Sequence, residues 1–276
     1  SKRRPATAAQ QRIFTAQQLS EDPLAYHISI SVDAVGVDME RLQKAVQDML
    51  SRHESLRTHF ELAEGVLWQI TDASAVITVE HLAPEDAIGF VRPFDLNKVP
   101  LMRLGFDGRR ILFDFHHLVF DGSSVPVFFR ELDALYEGRA LLPAASCGEH
   151  SLCAAEETSA GAYWRSIYAK QPAPLHFGAG LSDPNDAGFG GRTHFDRVEK
   201  DLHEQILHCC GKLKITPFSY YFGAYGLLLS VYGKSHDFSV GVPAAGRTPE
   251  NLNAVGMFTN TVPLRCTIEN SRTVER

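Results

Sequence analysis

The 276 residues are 44% hydrophobic and 22% charged, the balance of a folded globular protein and not of a disordered one, and the length suits one large domain or two lobes. A formal net charge of -6, with Lys2, Arg3 and Arg4 as the only basic run, argues against nucleic acid as a partner. Cys147, Cys153, Cys209, Cys210 and Cys266 form neither a CxxC pair nor a disulfide framework. No stretch reaches the roughly 20 apolar residues that span a bilayer, and an export signal is absent from the N-terminus, so the expected setting is reducing and cytoplasmic, away from membranes.

In chain order, Asp38 is placed to cap a helix in which Leu42, Ala45, Val46, Met49 and Leu50 recur at helical spacing, ending near Arg52 and His53. LRTHFEL (56 to 62), VLWQI (66 to 70) and AVITVEHL (75 to 82) read as strands. Asp107-Gly108 separates LMRLGF from RILFDF as the tight turn of a hairpin. In its second strand Ile111, Phe113 and Phe115 share one face and Leu112 and Asp114 the other, so His116 and His117 should point opposite ways. Ser123 or Ser124 can cap the next helix, Pro126 fits its first turn, Phe128, Phe129, Leu132, Leu135 and Tyr136 form its apolar side, and Gly138 stops it.

Further on, AGAYWRSIYAK (160 to 170) reads as a helix, and QPAPLHFGAGLSDPNDAGFGG (171 to 191) has the Gly and Pro content of a linker. RTHFDRV (192 to 198) suggests a strand and DLHEQILHCCGKL (201 to 213) a helix. TPFSYYFGAYGLLLSVYG (216 to 233) suggests a buried helix with Thr216 as cap and Pro217 at its first position, and DFSVGV (237 to 242) a strand. The expected fold class is α/β, of the layered α+β kind, in two lobes: residues 1-170, a linker at 171-191, and 192-276.

The chemistry concentrates in FDFHHLVFDGSS (113 to 124), where two adjacent histidines close an apolar strand and an Asp-Gly follows before a helix. A polar pair at a strand end is ordinary. A loop held between a rigid strand and a rigid helix, however, is where reactive side chains are often carried. Asp121 could either orient an imidazole or lock the loop by pairing with an arginine, and spacing does not choose.

HHLVFDG resembles the HHxxxDG signature of the condensation domains of nonribosomal peptide synthetases, which are related to chloramphenicol acetyltransferase. Three more stretches are similar to motifs of that family, in the same order. TAAQQRIF (7 to 14) resembles its opening motif, with Ala9, Gln10 and Arg12 in place; RHESLRTHF (52 to 60) matches RHExLRTxF; VGMFTNTVPLR (255 to 265) resembles GxFVNTxxxR, with Thr259 where valine is commoner. The tyrosine- and tryptophan-bearing motif of the family is represented only by AYW (162 to 164), and the motifs that follow GxFVNTxxxR have no counterpart. The resemblance therefore implies two chloramphenicol acetyltransferase-like lobes, the second incomplete.

It also implies a reaction: attack of an acceptor amine on a donor thioester to form a peptide bond. Both substrates ride on phosphopantetheine arms of peptidyl carrier protein domains that enter a tunnel between the lobes, with an adenylation domain adjacent in the parent synthetase and no cofactor bound directly. By resemblance His117 is the catalytic residue, either a general base or a positioning group for the amine. His116 would support the loop, and Asp121 would be structural, held by Arg57. Gly122 is expected to serve a close backbone approach or an unusual φ, and Arg12 and Asn260 to lie at the tunnel or lobe interface. A CoA-dependent acyltransferase would also satisfy HxxxD through His117 and Asp121, an epimerization domain shares HHxxxDG, and a carrier-protein docking module without turnover would carry the same sequence. HEQILH (203 to 208) has one residue too many for a zinc-binding HExxH, which sets His203 and His208 about 140° apart on a helix. No metal and no nucleotide site is expected.

Overall fold

A computed structural model describes residues 2–145, 159–177 and 194–269. These gather into two compact units, one within Ser1–Glu156 and Pro243–Asn260, the other within Glu157–Val242 and Thr261–Arg276.

The first unit holds two sheets. β1 (Lys2–Pro5), β3 (Thr58–Ala63) and β4 (Val66–Thr71) form a three-stranded antiparallel sheet in the order β1-β4-β3. The second sheet runs β2-β7-β6-β5 and is built from β2 (His27–Asp33), β5 (Val79–His81), β6 (Met102–Phe106) and β7 (Arg110–His116). Only its β5-β6 pair is parallel. Of the strand expected at 75 to 82, just the segment Val79–His81 pairs. The β6-β7 turn forms where Asp107-Gly108 predicts it: Asp107 Oδ1 accepts the N–H of Arg109 (3.0 Å) and Arg110 (2.6 Å), and Gly108 takes a left-handed φ of 85°.

Three helices cover these sheets. α1 (Ala8–Leu19) starts in a capping box, in which Thr7 Oγ1 accepts from Gln10 N–H and Gln10 Oε1 accepts from Thr7 N–H. α2 (Met39–Arg52) is capped by Asp38, whose Oδ1 accepts the N–H of Glu40 and Arg41, and it buries Leu42, Ala45, Val46, Met49 and Leu50, the five residues that its periodicity singles out. α3 (Ser124–Tyr136) packs against α2. Between sheet and helices, Phe115 stacks on Phe120 at 4.0 Å and both meet the edge of Phe128. All three rings are fully buried, each contributing about 1.5–3 kcal/mol of transfer free energy.

The second unit contains α4 (Ser159–Ile167), α5 (Lys200–Leu213), α6 (Pro217–Gly233) and a two-stranded sheet of β8 (Asp237–Ala244) with β9 (Asn260–Thr267). Arg265 on β9 grips Asp237 on β8 with two bonds of 2.7 and 2.6 Å, and Tyr168 donates to the carbonyl of Pro263. α6 begins as its sequence predicts, with Thr216 Oγ1 accepting Ser219 N–H (3.1 Å) and Pro217 in the first turn.

Two expectations fail here. Residues 194–199 have no regular structure instead of the strand expected at 192 to 198, whose first two residues lie outside the described ones; the Asp196 carboxylate engages the next N–H, of Arg197. α6 is not buried all round: Phe218, Tyr221, Tyr225, Leu227, Leu228, Val231 and Tyr232 are all substantially exposed, and only Gly226 and Ser230 are enclosed. Uniform apolarity states a demand for burial without a direction, and among the described residues α5 meets that demand on one side only. Of the cysteines, Cys210 is buried and Cys209 half-buried, while Cys147 and Cys153 lie outside the described residues, as does most of the stretch 171–191.

Candidate active site

β7 delivers the histidine pair at its C-terminal end. The strand is buried on both faces, and at its end the two histidines differ in exposure, His116 buried and His117 half-buried. His116 is fully buried: its Nδ1 accepts the N–H of Leu118 (3.1 Å) and its Nε2 lies 2.7 Å from Gln17 Oε1. An Nδ1 that accepts fixes the proton on Nε2, so Nε2–H donates to Gln17. Burial, and after it the neighbouring His27 and His117, push the His116 pKa down to about 3, which makes this ring a neutral structural piece at any working pH.

His117 differs in each respect. Its backbone N–H is fixed to the carbonyl of Tyr26 (2.8 Å), but the residue is only half-buried and its Nδ1 has no hydrogen-bond partner. Among the described residues four other buried side-chain nitrogens share that condition, so the unpartnered nitrogen alone does not single it out. The combination of an anchored backbone, partial exposure and an uncommitted ring nitrogen does.

Asp121 is locked. Its Oδ1 accepts from Ser124 N–H (2.8 Å), Ser124 Oγ (2.7 Å) and Arg247 Nη2 (2.9 Å), and its Oδ2 from Phe258 N–H (3.1 Å) and Thr259 Oγ1 (3.3 Å). No acceptor capacity is left to orient a histidine, so this carboxylate locks the loop. Its partner corrects the expectation of Arg57. Arg247 is almost fully buried, with Nη1 held by the carbonyls of Asn251 (3.0 Å) and Ala254 (2.6 Å), so that Nη2 is aimed at both Asp121 and Ser124. Arg57 is half-buried, its Nε lacks a partner, and it serves the fold through its carbonyl, which accepts Asp72 N–H at 2.8 Å. Arg52 and His53, at the end of α2, both bind Glu131 Oε2, at 2.7 and 2.8 Å, and so pin α2 to α3.

Ser124 is a hub that sequence reasoning offered only as a cap. Its Oγ reaches Asp121, the carbonyl and N–H of Gly256 (2.9 and 3.0 Å) and Arg247, and α3 receives its N-terminal bond from Asp121 in place of Ser123. Gly122 is exposed, a Cβ there would meet nothing within 4 Å, and its φ lies outside the left-handed region, so neither reason expected for it applies and nothing in the structure explains the glycine. Arg12 and Asn260 come together across the chain: Arg12 Nη2 donates to Asn260 Oδ1, both residues being exposed. Arg247, Gln17 and His27 went unnoticed in the sequence. None carries a local signal, since each gains its role from a contact made about ninety or more positions away.

A family model described as "Condensation domain" matches residues 1–276. Surfactin synthase subunit 2 of Bacillus subtilis (strain 168) is 31% identical over 278 residues, covering 95% of this chain and 8% of the synthase. Tyrocidine synthase 3 of Brevibacillus parabrevis is 32% identical over 289 residues, covering 98% of this chain and 4% of the synthase. This chain thus spans less than a tenth of the length of either relative. Among solved structures, the condensation domain from Monacolin K polyketide synthase MokA superposes with a TM-score of 0.79 at 24% identity, covering 97% of this chain and 68% of that one. The first condensation domain of the calcium-dependent antibiotic synthetase gives 0.75 at 21%, covering 100% and 71%. At such identities these likenesses show the fold alone, the mixed helix-and-strand fold of condensation domains.

Proposed function

Since the chain belongs to the condensation domain family, the acyltransferase domain that forms amide bonds in nonribosomal peptide synthetases, we propose that His117 is the residue on which its reaction turns. The acceptor amine attacks the donor thioester carbon; the C–N bond forms, the C–S bond breaks, the sulfur leaves as the pantetheine thiol and the nitrogen sheds a proton. An α-amine has an unperturbed pKa of roughly 7.7–8.0, so part of it is neutral near pH 7.5 before any base acts. The task for the protein is to align the amine and to take the proton once the new bond has begun to form. An imidazole with an anchored backbone on a half-buried residue suits both duties.

The observation that carries this reading is the contrast between neighbours. His116 has both nitrogens bonded and a pKa near 3, while His117 has a nitrogen uncommitted. Asp121, saturated by Arg247, Ser124 and the 258–259 backbone and hydroxyl, acts as the loop's lock and Gly122 lies at the loop's exposed bend. The Arg12–Asn260 bond fits a role in shaping the substrate approach.

Donor and acceptor substrates would come on phosphopantetheine arms of two carrier protein domains, with an adenylation domain beside them, a context supported by the far greater length of the synthases matched. Two compact units support a two-lobed organisation, but their division falls between Glu156 and Glu157, with Pro243–Asn260 returning to the first, and not at the linker expected at 171–191. Free cysteines at 209, 210 and 266 suit a reducing cytoplasm, and no helix among the described residues is long and apolar enough to cross a membrane.

The test is amide formation from loaded carriers by the full-length protein. His117→Ala should lower the rate by about 10²–10⁴-fold with an unchanged melting temperature. A variant with full rate removes His117 from the mechanism.

A further inference from the structure

Asp114 is fully buried on β7, two residues before His116, and faces away from the phenylalanine cluster. Nδ1 of His27 lies 3.0 Å from both of its oxygens, Ser29 Oγ donates to Oδ1 (3.2 Å) and Arg103 Nη1 to Oδ2 (2.8 Å). Facing a carboxylate, Nδ1 of His27 carries the proton. The ring so fixed is itself 97% buried, its side chain being 3% exposed.

Its position is what matters. His27 is the register partner of His116 across the β2-β7 ladder, and the preceding residue, Tyr26, supplies the carbonyl that holds His117 N–H. The His27 ring stacks on Phe94 (5.0 Å), and both rings present to His116 at steep angles, with centroids 5.9 and 6.0 Å away. Arg103 closes the arrangement by lying over the other participant, Phe94, at 3.7 Å. His116 is therefore boxed by two rings as well as by its bonds to Gln17 and Leu118, and the backbone bearing His117 is tied to the strand that His27 begins.

We propose that His27, oriented by Asp114, is a positioning residue for the reaction: it walls the His116 ring and, through the end of the β2-β7 ladder, sets the direction in which His117 projects. The proposal rests on the reading of His117 given above. Asparagine places an amide N–H near the position of Nδ1, and glutamine displaces it toward that of Nε2, so the pair separates the bond to Asp114 from mere occupancy of the space.

In the full-length protein with loaded carriers, His27→Gln should lower kcat about tenfold with KM within about twofold, and His27→Asn should recover most of the loss. Equal rates for the two variants, or a change in KM alone, would overturn the proposal. Should the glutamine variant fail to fold, Phe94→Leu, which removes the other wall, should give the same loss in kcat at constant KM, and an unchanged kcat would sink the idea. The decisive step combines His27→Gln with His117→Ala. If His27 acts through His117, His27→Gln costs nothing further once His117 is alanine, whereas full additivity assigns His27 to stability and overturns the inference. His117→Ala retaining its rate is a separate result, which sinks the catalytic reading itself.

Discussion

The loop after β7 and the helix α6 are both rich in apolar residues and opposite in how the chain treats them. His117 apart, the polar groups in and flanking the loop are enclosed and bonded: Asp121, Ser124 and His116 are all fully buried and all multiply bonded. α6 leaves Leu227, Leu228 and Val231 at 50%, 52% and 74% exposure. In the first region, specific long-range bonds determine the structure and the buried area follows. In the second, apolar area is plentiful and specific bonds beyond its caps are few. The first kind of region punishes loss of a single atom, and the second is indifferent to it.

That contrast can be broken in three places. The largest effect should come from Arg247→Ala, which leaves the Asp121 carboxylate buried and unpaired, a loss of about 3–5 kcal/mol; denaturant titration measures it, and a loss under 1 kcal/mol (roughly the value of an exposed pair) would show that Ser124 and the backbone amides suffice. Next is His116→Gln. The folded pKa of His116 is depressed to about 3 against 6.5 unfolded, so between those values the unfolded chain binds the extra proton. Stability attached to the neutral ring is thus complete above pH 6.5 and lost as pH falls toward 3, at up to about 1.4 kcal/mol per pH unit. His53, whose pKa is also lowered, chiefly by burial, contributes in the same direction. The variant should therefore show a shallower, not an abolished, acid slope in stability measured from pH 7 to 4, and an identical slope would refute the assignment. The smallest effect belongs to Leu228→Ala, expected to stay within about 0.5 kcal/mol. A loss above about 2 kcal/mol, the range of a buried leucine, would mean that something covers this face of α6 in the intact protein.

The same contrast explains what the sequence disclosed. α2, with Asp38 as cap and five apolar positions as its buried stripe, was readable because capping and periodicity are local. The 107-108 turn and the apolar side of α3 were readable for that reason too. His116 and His117 differ in burial, but β7 ends at His116, so strand alternation does not extend to His117. The partner of Asp121 was not legible, because Arg57 and Arg247 are equally good cations and only the tertiary fold ranks them. Burial of α6 was overstated because composition gives no direction, and a helix apolar on every side has no stripe to read.

The return of Pro243–Asn260 to the first unit has a consequence for synthesis. Phe258 N–H bonds to a carboxylate 137 positions earlier in the chain. At a translation rate of about 5–20 residues per second, Asp121 leaves the ribosome on the order of ten seconds before its last ligands exist. Until then the nascent loop holds a charge awaiting its cation, so the turn after β7 matures late, and a gene fragment stopped ahead of residue 243 would yield the scaffold without its clasp.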